Sequence, residues 1–116
     1  MPKTRFLTEF GMGTSLRRQD YTEAAMRAVR DALWHNSINL AELLGRDKTD
    51  MLIDVDVGVQ QPEAVEVARV AEVFPYGQVQ VQARHGGLDI PRADGGKPTV
   101  IANVAISVSF ELEGTE

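Results

Sequence analysis

The sequence contains no cysteine. That excludes disulfide cross-links, thiolate metal sites and cysteine nucleophiles, and nothing calls for an oxidising compartment. No apolar run approaches the ~20 residues that span a bilayer. The opening Met1-Pro2-Lys3-Thr4-Arg5 leads into a strand-like stretch without the apolar core and cleavage site of a signal peptide, so a cytoplasmic protein with no membrane partner is expected. Basic residues are in the minority, 12 Lys and Arg against 17 Asp and Glu, for a net charge of −5. A phosphate backbone selects the opposite sign, so no nucleic-acid partner is expected, and Arg17-Arg18 reads as part of a solvated loop.

What is present suits one domain, 1–116, with a modest core: 43% of the 116 residues are hydrophobic and 25% charged. Residues 5–10 alternate as a first strand, and Gly11-Met12-Gly13-Thr14-Ser15 reads as its end. Asp20 followed by Glu23 has the spacing of a capping box, which starts a helix running to about His35. Its apolar face is Ala25, Ala28, Val29, Ala32 and Leu33. Asn39–Leu44 reads as a further short helical piece closed by Gly45. From Met51 to Val59 every second residue is apolar, a strand with Asp54 and Asp56 on its other side.

Pro62 suits the first turn of a second helix, with Ala64, Val67, Ala68 and Ala71 as its buried stripe and Pro75-Tyr76-Gly77 as its stop. Gln78–Arg84 alternates strictly as a strand, and His85–Pro98 reads as a loop rich in Gly and Pro. A long last strand covers Thr99–Leu112, and residues 113–116 read as a mobile acidic tail. The order β-α-β-α-β-β predicts an α/β (α+β) fold, a single mixed sheet with two helices on one face.

The face left uncovered would carry Asp54, Asp56, Gln78, Gln80, Gln82, Arg84, Asn103, Ser107 and Ser109. It can meet water, as half-covered sheets do, or other subunits. Most of these residues are polar without charge, and interface cores are depleted in charge, so shared subunit seams are the expectation.

Several residues could carry chemistry. Gly11 and Gly13, between a strand and a helix, could present backbone N–H groups to an anion, or simply form a turn. Asp54 and Asp56 could hold a cation or form a salt-bridged face, so a metal site stays open. Arg84 could clamp a carboxylate, His85 or Glu9 could act as acid or base, and Gly86-Gly87 opens the adjoining loop. Asp20 completes the candidate binding set. No cofactor is implied.

Thr8-Glu9-Phe10-Gly11-Met12-Gly13-Thr14, Gln19-Asp20-Tyr21-Thr22 and Ala28-Val29-Arg30-Asp31-Ala32 resemble a family of conserved hypothetical bacterial and fungal proteins, first named from a Listeria member. Its pattern is GMGTD-x-x-GQD-x-T-K-A-A followed by R-A-V-R-x-A, and this chain departs at Ser15 and Arg18. Val73-Phe74-Pro75-Tyr76-Gly77 and Gly86-Gly87-Leu88 extend the resemblance over nearly the whole chain. More distantly, Thr8-Glu9 with Gly11 and Gly13, and Asp20-Tyr21-Thr22, are similar to a segment of cyanuric acid hydrolase and barbiturase. Gly95-Gly96-Lys97-Pro98-Thr99-Val100-Ile101 is similar to another.

Those ring-opening amidohydrolases are built from three units, each similar to a subunit of YjgF-type or chorismate mutase-type trimers. The resemblance implies a homotrimer with small-molecule sites at its seams. Where those hydrolases carry a catalytic lysine, this chain has Leu7. The expected function is binding of, or catalysis on, a small cyclic or carboxylated metabolite. The alternative is a non-catalytic partner subunit that stabilises a metabolic enzyme.

Overall fold

The structure of the protein, a computed structural model, describes residues 3–35 and 47–111. The short helix expected at 39–44 and the tail at 113–116 lie outside the described residues.

Five strands form one mixed sheet: β1 (Lys3–Ser15), β2 (Leu52–Val59), β3 (Gln78–His85), β4 (Leu88–Ile90) and β5 (Thr99–Glu111). The order across it is β1-β5-β2-β3, with β4 alongside β5. Only β2 and β3 run parallel; β5 is antiparallel to β1, β2 and β4. Helices α1 (Tyr21–His35) and α2 (Val67–Ala71) complete the α+β fold.

The alternation in the sequence becomes the two faces of the sheet. Ile53, Val55, Val57 and Val59 of β2 and Val100, Ala102, Val104, Ile106 and Val108 of β5 are buried beneath the helices. Tyr21, Ala24, Ala25, Ala28, Val29 and Ala32 of α1 close over them. The helix starts where Asp20 caps it: its Oδ1 accepts the Glu23 N–H at 2.9 Å. The reciprocal half of the capping box is not made. Glu23 turns forward to Arg27 at 3.2 Å, and the Asp20 N–H donates to Ser15 Oγ at 3.1 Å.

Three expectations from the sequence are corrected. β1 does not stop at Phe10 but continues through Gly11-Met12-Gly13-Thr14-Ser15 in register with β5. Gly11 and Gly13 lie on the helix side, and α1 is pressed onto them. A Cβ on Gly11 would sit 2.3 Å from the Ala28 carbonyl oxygen, and one on Gly13 2.3 Å from that of Ala24. These glycines serve close approach rather than a turn.

Pro62 opens a 3-10 turn, Pro62–Ala64, and not the helix. α2 is only five residues long, so it buries Val70 and leaves Val67 and Ala68 exposed. Finally, the segment read as one loop contains β4, paired with Thr99–Ile101 of β5.

The C-terminal end of the outer edge of β1 is closed by α1 itself. Asp31 accepts the Met12 N–H at 3.0 Å, and Arg27 donates to the Thr14 carbonyl at 2.7 Å. Residues two apart on an edge strand turn their free backbone groups the same way, and two α1 side chains one turn apart take both groups.

The crowding gives a stability prediction. Gly13→Ala forces backbone apart and should cost more than about 2 kcal/mol, lowering the Tm by roughly 8 °C or more. Gly95, at φ +79° with nothing within 4 Å, has only backbone strain to lose. Gly95→Ala should cost about 1 kcal/mol, and thermal unfolding of the pair of variants checks the ordering.

Candidate functional site

The uncovered sheet face is ordered into rows by the strand register. Thr8, Ser107, Asp54 and Gln80 form one row; Phe10, Ala105, Asp56 and Gln82 the next; Met12, Asn103, Gly58 and Arg84 a third. Thr14, Ile101 and Leu88 follow, with Thr99 and Ile90 beyond.

The face therefore divides diagonally. Towards β2 and β3 it is polar, with a hollow of about 280 Å³ lined by Arg5, Asp54, Asp56, Gln80, Gln82, Arg84 and Ser107, among others. Towards β1 and β4 it is apolar and exposed: Phe10 71%, Met12 53%, Leu88 57% and Ile90 43%.

The charges in the hollow are mostly matched. Arg84 Nε donates to Asp56 at 2.8 Å, and its Nη2 to Gln82 Oε1 at 3.2 Å. Lys3 pairs with Asp54 at 2.5 Å. Both carboxylates proposed from the sequence as a cation pair are thus ion-paired. Among the described residues no group of three acidic, His or Cys side chains could hold a metal ion. The Arg5 side chain, which also lines the hollow, forms no hydrogen bond or ion pair among the described residues. An exposed guanidinium with a free fork beside amide and hydroxyl groups is suited to a carboxylate or another planar anion.

The structure separates the other residues singled out from the sequence. Adjacent residues in a strand face opposite ways, so Arg84 lies on the uncovered face while His85 lies on the helix side at the exposed end of β3. Glu9 is half-buried on the helix side of β1. Three strand spacings separate β1 from β3, roughly 14 Å, so Glu9 and His85 do not meet within one subunit. Asp20 caps α1.

Gly86 packs over Gly58. Gly87 has φ +59°, and a Cβ there would meet the Ile101 carbonyl oxygen at 2.2 Å. Gln60 Nε2 donates to the carbonyl oxygens of both glycines at 3.1 Å. Gly86-Gly87 is thus a tight crossing into β4, and its two carbonyls are already engaged.

Sequence reasoning missed two things. Arg5 stood at the head of a strand without a motif, and only the register places it in the hollow. The second is a buried polar group under α1. The Tyr21 hydroxyl donates to the Asp89 carboxylate and accepts from Gln19 Nε2 at 3.1 Å. The other Asp89 oxygen is buried without a hydrogen-bond partner among the described residues. Gln19 holds φ +51°, an uncommon conformation for a residue with a side chain. Desolvation, and then the bond to Asp89, raise the Tyr21 pKa above the usual tyrosine value.

These features define a small α+β protein with one helix-covered face and one open face that is half polar and half apolar. The chain belongs to the family described as Conserved hypothetical protein (Lin0512_fam), whose model matches residues 5–108. It is 32% identical to a crystallised FtsZ-like protein of unknown function from Nostoc punctiforme PCC 73102. That match covers 97% of this chain and 99% of the other, with a TM-score of 0.86. No curated protein matches. Among the described residues no helix is long and apolar enough to cross a membrane.

The Tyr21 shift has a definite sign. The unfolded chain loses this proton near pH 10 and the folded chain only at higher pH. The stabilisation is therefore complete below about pH 10 and is lost as pH rises through the folded value. Urea midpoints measured from pH 7 to 11 should fall above pH 10. Tyr21→Phe should be less stable at pH 7 by about 1–3 kcal/mol, because Asp89 is left unpaired, and should fall less steeply in alkali. An equal alkaline slope in both proteins would remove Tyr21 as the cause.

Proposed function

We propose that the chain is the subunit of a homotrimer that binds a small carboxylated or cyclic metabolite in the polar hollow of its uncovered sheet face, against a neighbouring subunit. The single observation carrying this reading is Arg5, whose guanidinium has no partner among the described residues and lines a hollow whose carboxylates are already ion-paired. The ligand that suits it brings its own negative charge. Gln80 and Gln82 offer amide groups, and Ser107 a hydroxyl, to fix its orientation.

Two further features support a shared site. The hollow is shallow, and a ligand on a flat sheet gains most of its burial from a second wall. The exposed apolar strip of Phe10, Met12, Leu88 and Ile90 lies on the same face, and strips of that kind mark protein contacts. Three-unit ring-opening amidohydrolases, which the sequence resembles at a distance, favour three copies around one axis. Leu7, which stands where those enzymes have a catalytic lysine, packs against the core on the helix side of β1. Their amide-cleaving chemistry is therefore not carried over, and the reading is one of binding.

The test combines mass and ligand. Light scattering should give a particle built from threes of the 12.7 kDa subunit. A thermal-shift screen of small carboxylates and cyclic amides should raise the melting point, since a ligand of the folded state stabilises it. Arg5→Ala should weaken the best ligand roughly 10- to 100-fold, the worth of a charge-assisted hydrogen bond, while leaving the unliganded Tm within about 2 °C. A monomer that no carboxylate stabilises, or an Arg5→Ala protein with undiminished affinity, would sink the proposal.

A further inference from the structure

The two end strands of the β1-β5-β2-β3 path are treated differently at their outer edges. The β1 edge carries an irregularity between Arg5 and Leu7, and Asp31 and Arg27 occupy its Met12 N–H and Thr14 carbonyl. Among the described residues the β3 edge has no such device. Gln78-Val79-Gln80-Val81-Gln82-Ala83 contains no charge, no proline and no bulge. The Gln78 N–H bonds the Met51 carbonyl and the Gly86 N–H bonds that of Val59, so the even-numbered residues face β2. Val79, Val81 and Ala83 then turn their N–H and C=O groups outward. Among the described residues nothing accepts or donates to them. An open, uncharged edge is a pairing surface that proteins otherwise blunt.

We propose that β3 pairs with β3 of a second copy of this chain, antiparallel across a two-fold axis, so that the sheet runs from one subunit into the next. The strand is complementary to itself. With the axis beside Val81, Gln80 lies opposite the second copy's Gln82, and Val79 opposite its Ala83. Arg84, the strand's one full charge, meets neutral Gln78, so no like charges face each other. Val79, Val81 and Ala83 pack on the core from a half-exposed position, and the second copy covers their open flank. A head-to-tail pairing of β3 with β1 is disfavoured because α1 already holds the Met12–Thr14 end of the β1 edge. The self-complementary isologous contact closes after two subunits.

This pairing does not depend on the shared hollow. If both contacts form, the particle holds six subunits. If only the β3 contact forms it holds two, and if only the face contact forms it holds three.

Hydrogen exchange of the whole wild-type protein, together with its mass, tests the pairing. The Val79, Val81 and Ala83 amides should be protected at least about 100-fold, like those of Gln80 and Gln82. Ala83→Pro removes an outward N–H and no bond to β2, so the sheet should survive. Its particle mass should halve, and protection of Val79 and Val81 should fall at least about tenfold. Should Ala83→Pro not fold, Val79→Pro likewise removes an outward N–H and no bond to β2, and should halve the mass in the same way.

Free exchange at Val79 and Val81 in the wild type would overturn the proposal, as would a folded variant of unchanged mass. Protection of these amides in a monomer would overturn it too, because the cover would then come from within the chain.

Discussion

Helix α1 lies against β1 with the carbonyls of Ala24 and Ala28 where side chains would stand if residues 13 and 11 had any. Most of the architecture follows from that contact. Alanine at 24, 28 and 32 lets the helix descend, and glycine at 11 and 13 lets the strand receive it. The descent brings Arg27 and Asp31 within reach of the backbone of β1, so that the helix which packs on the sheet also closes its edge. A larger residue at either glycine would lift the helix and reopen the edge as well as leave a void.

Because α1 closes the end of one edge and covers one face, the β3 edge and the uncovered face are surfaces left open for association among the described residues. The face is close to charge-neutral where it is polar: Arg84 is held by Asp56 and Lys3 by Asp54. Such pairs at an exposed surface contribute little to stability, but they fix where the charges stand. What they leave among the described residues is one guanidinium, that of Arg5, beside the amides of Gln80 and Gln82 and the hydroxyl of Ser107. The apolar half, from Phe10 to Ile90, adjoins it without a border of charge. A ligand and a neighbouring subunit would meet at this junction.

Much of the fold was legible in the sequence. Period-two alternation located β2, β3 and β5 to within a residue or so, because each buries one face under a helix and exposes the other. The alanine-rich stripe and Asp20 located α1. The errors fell where the signal was ambiguous. Gly11 and Gly13 read as a turn because glycine marks turns more often than close contacts. Ala64, Ala68 and Ala71 read as a buried stripe because alanine is as much at home on a surface. The three residues of β4 are too few for periodicity to reveal. The candidate site was legible only in part. Arg84 was rightly placed on the open face with the glutamines, while the presence of Arg5 in the hollow and the Tyr21–Asp89 bond carry no local pattern.

By itself, then, the sequence determined which segments are strands and helices and which side of each is apolar, since those properties repeat along the chain at 2.0 or 3.6 residues. It also determined that the domain has no disulfides and an acidic balance. The tertiary structure alone decided that two glycines belong under a helix, that Arg84 and His85 part company, and that Arg5 joins Asp56 and Gln82 across three strands. Those are relations between residues far apart in the chain. They are set by strand order and register, which depend on the packing of the whole sheet rather than on any segment of it.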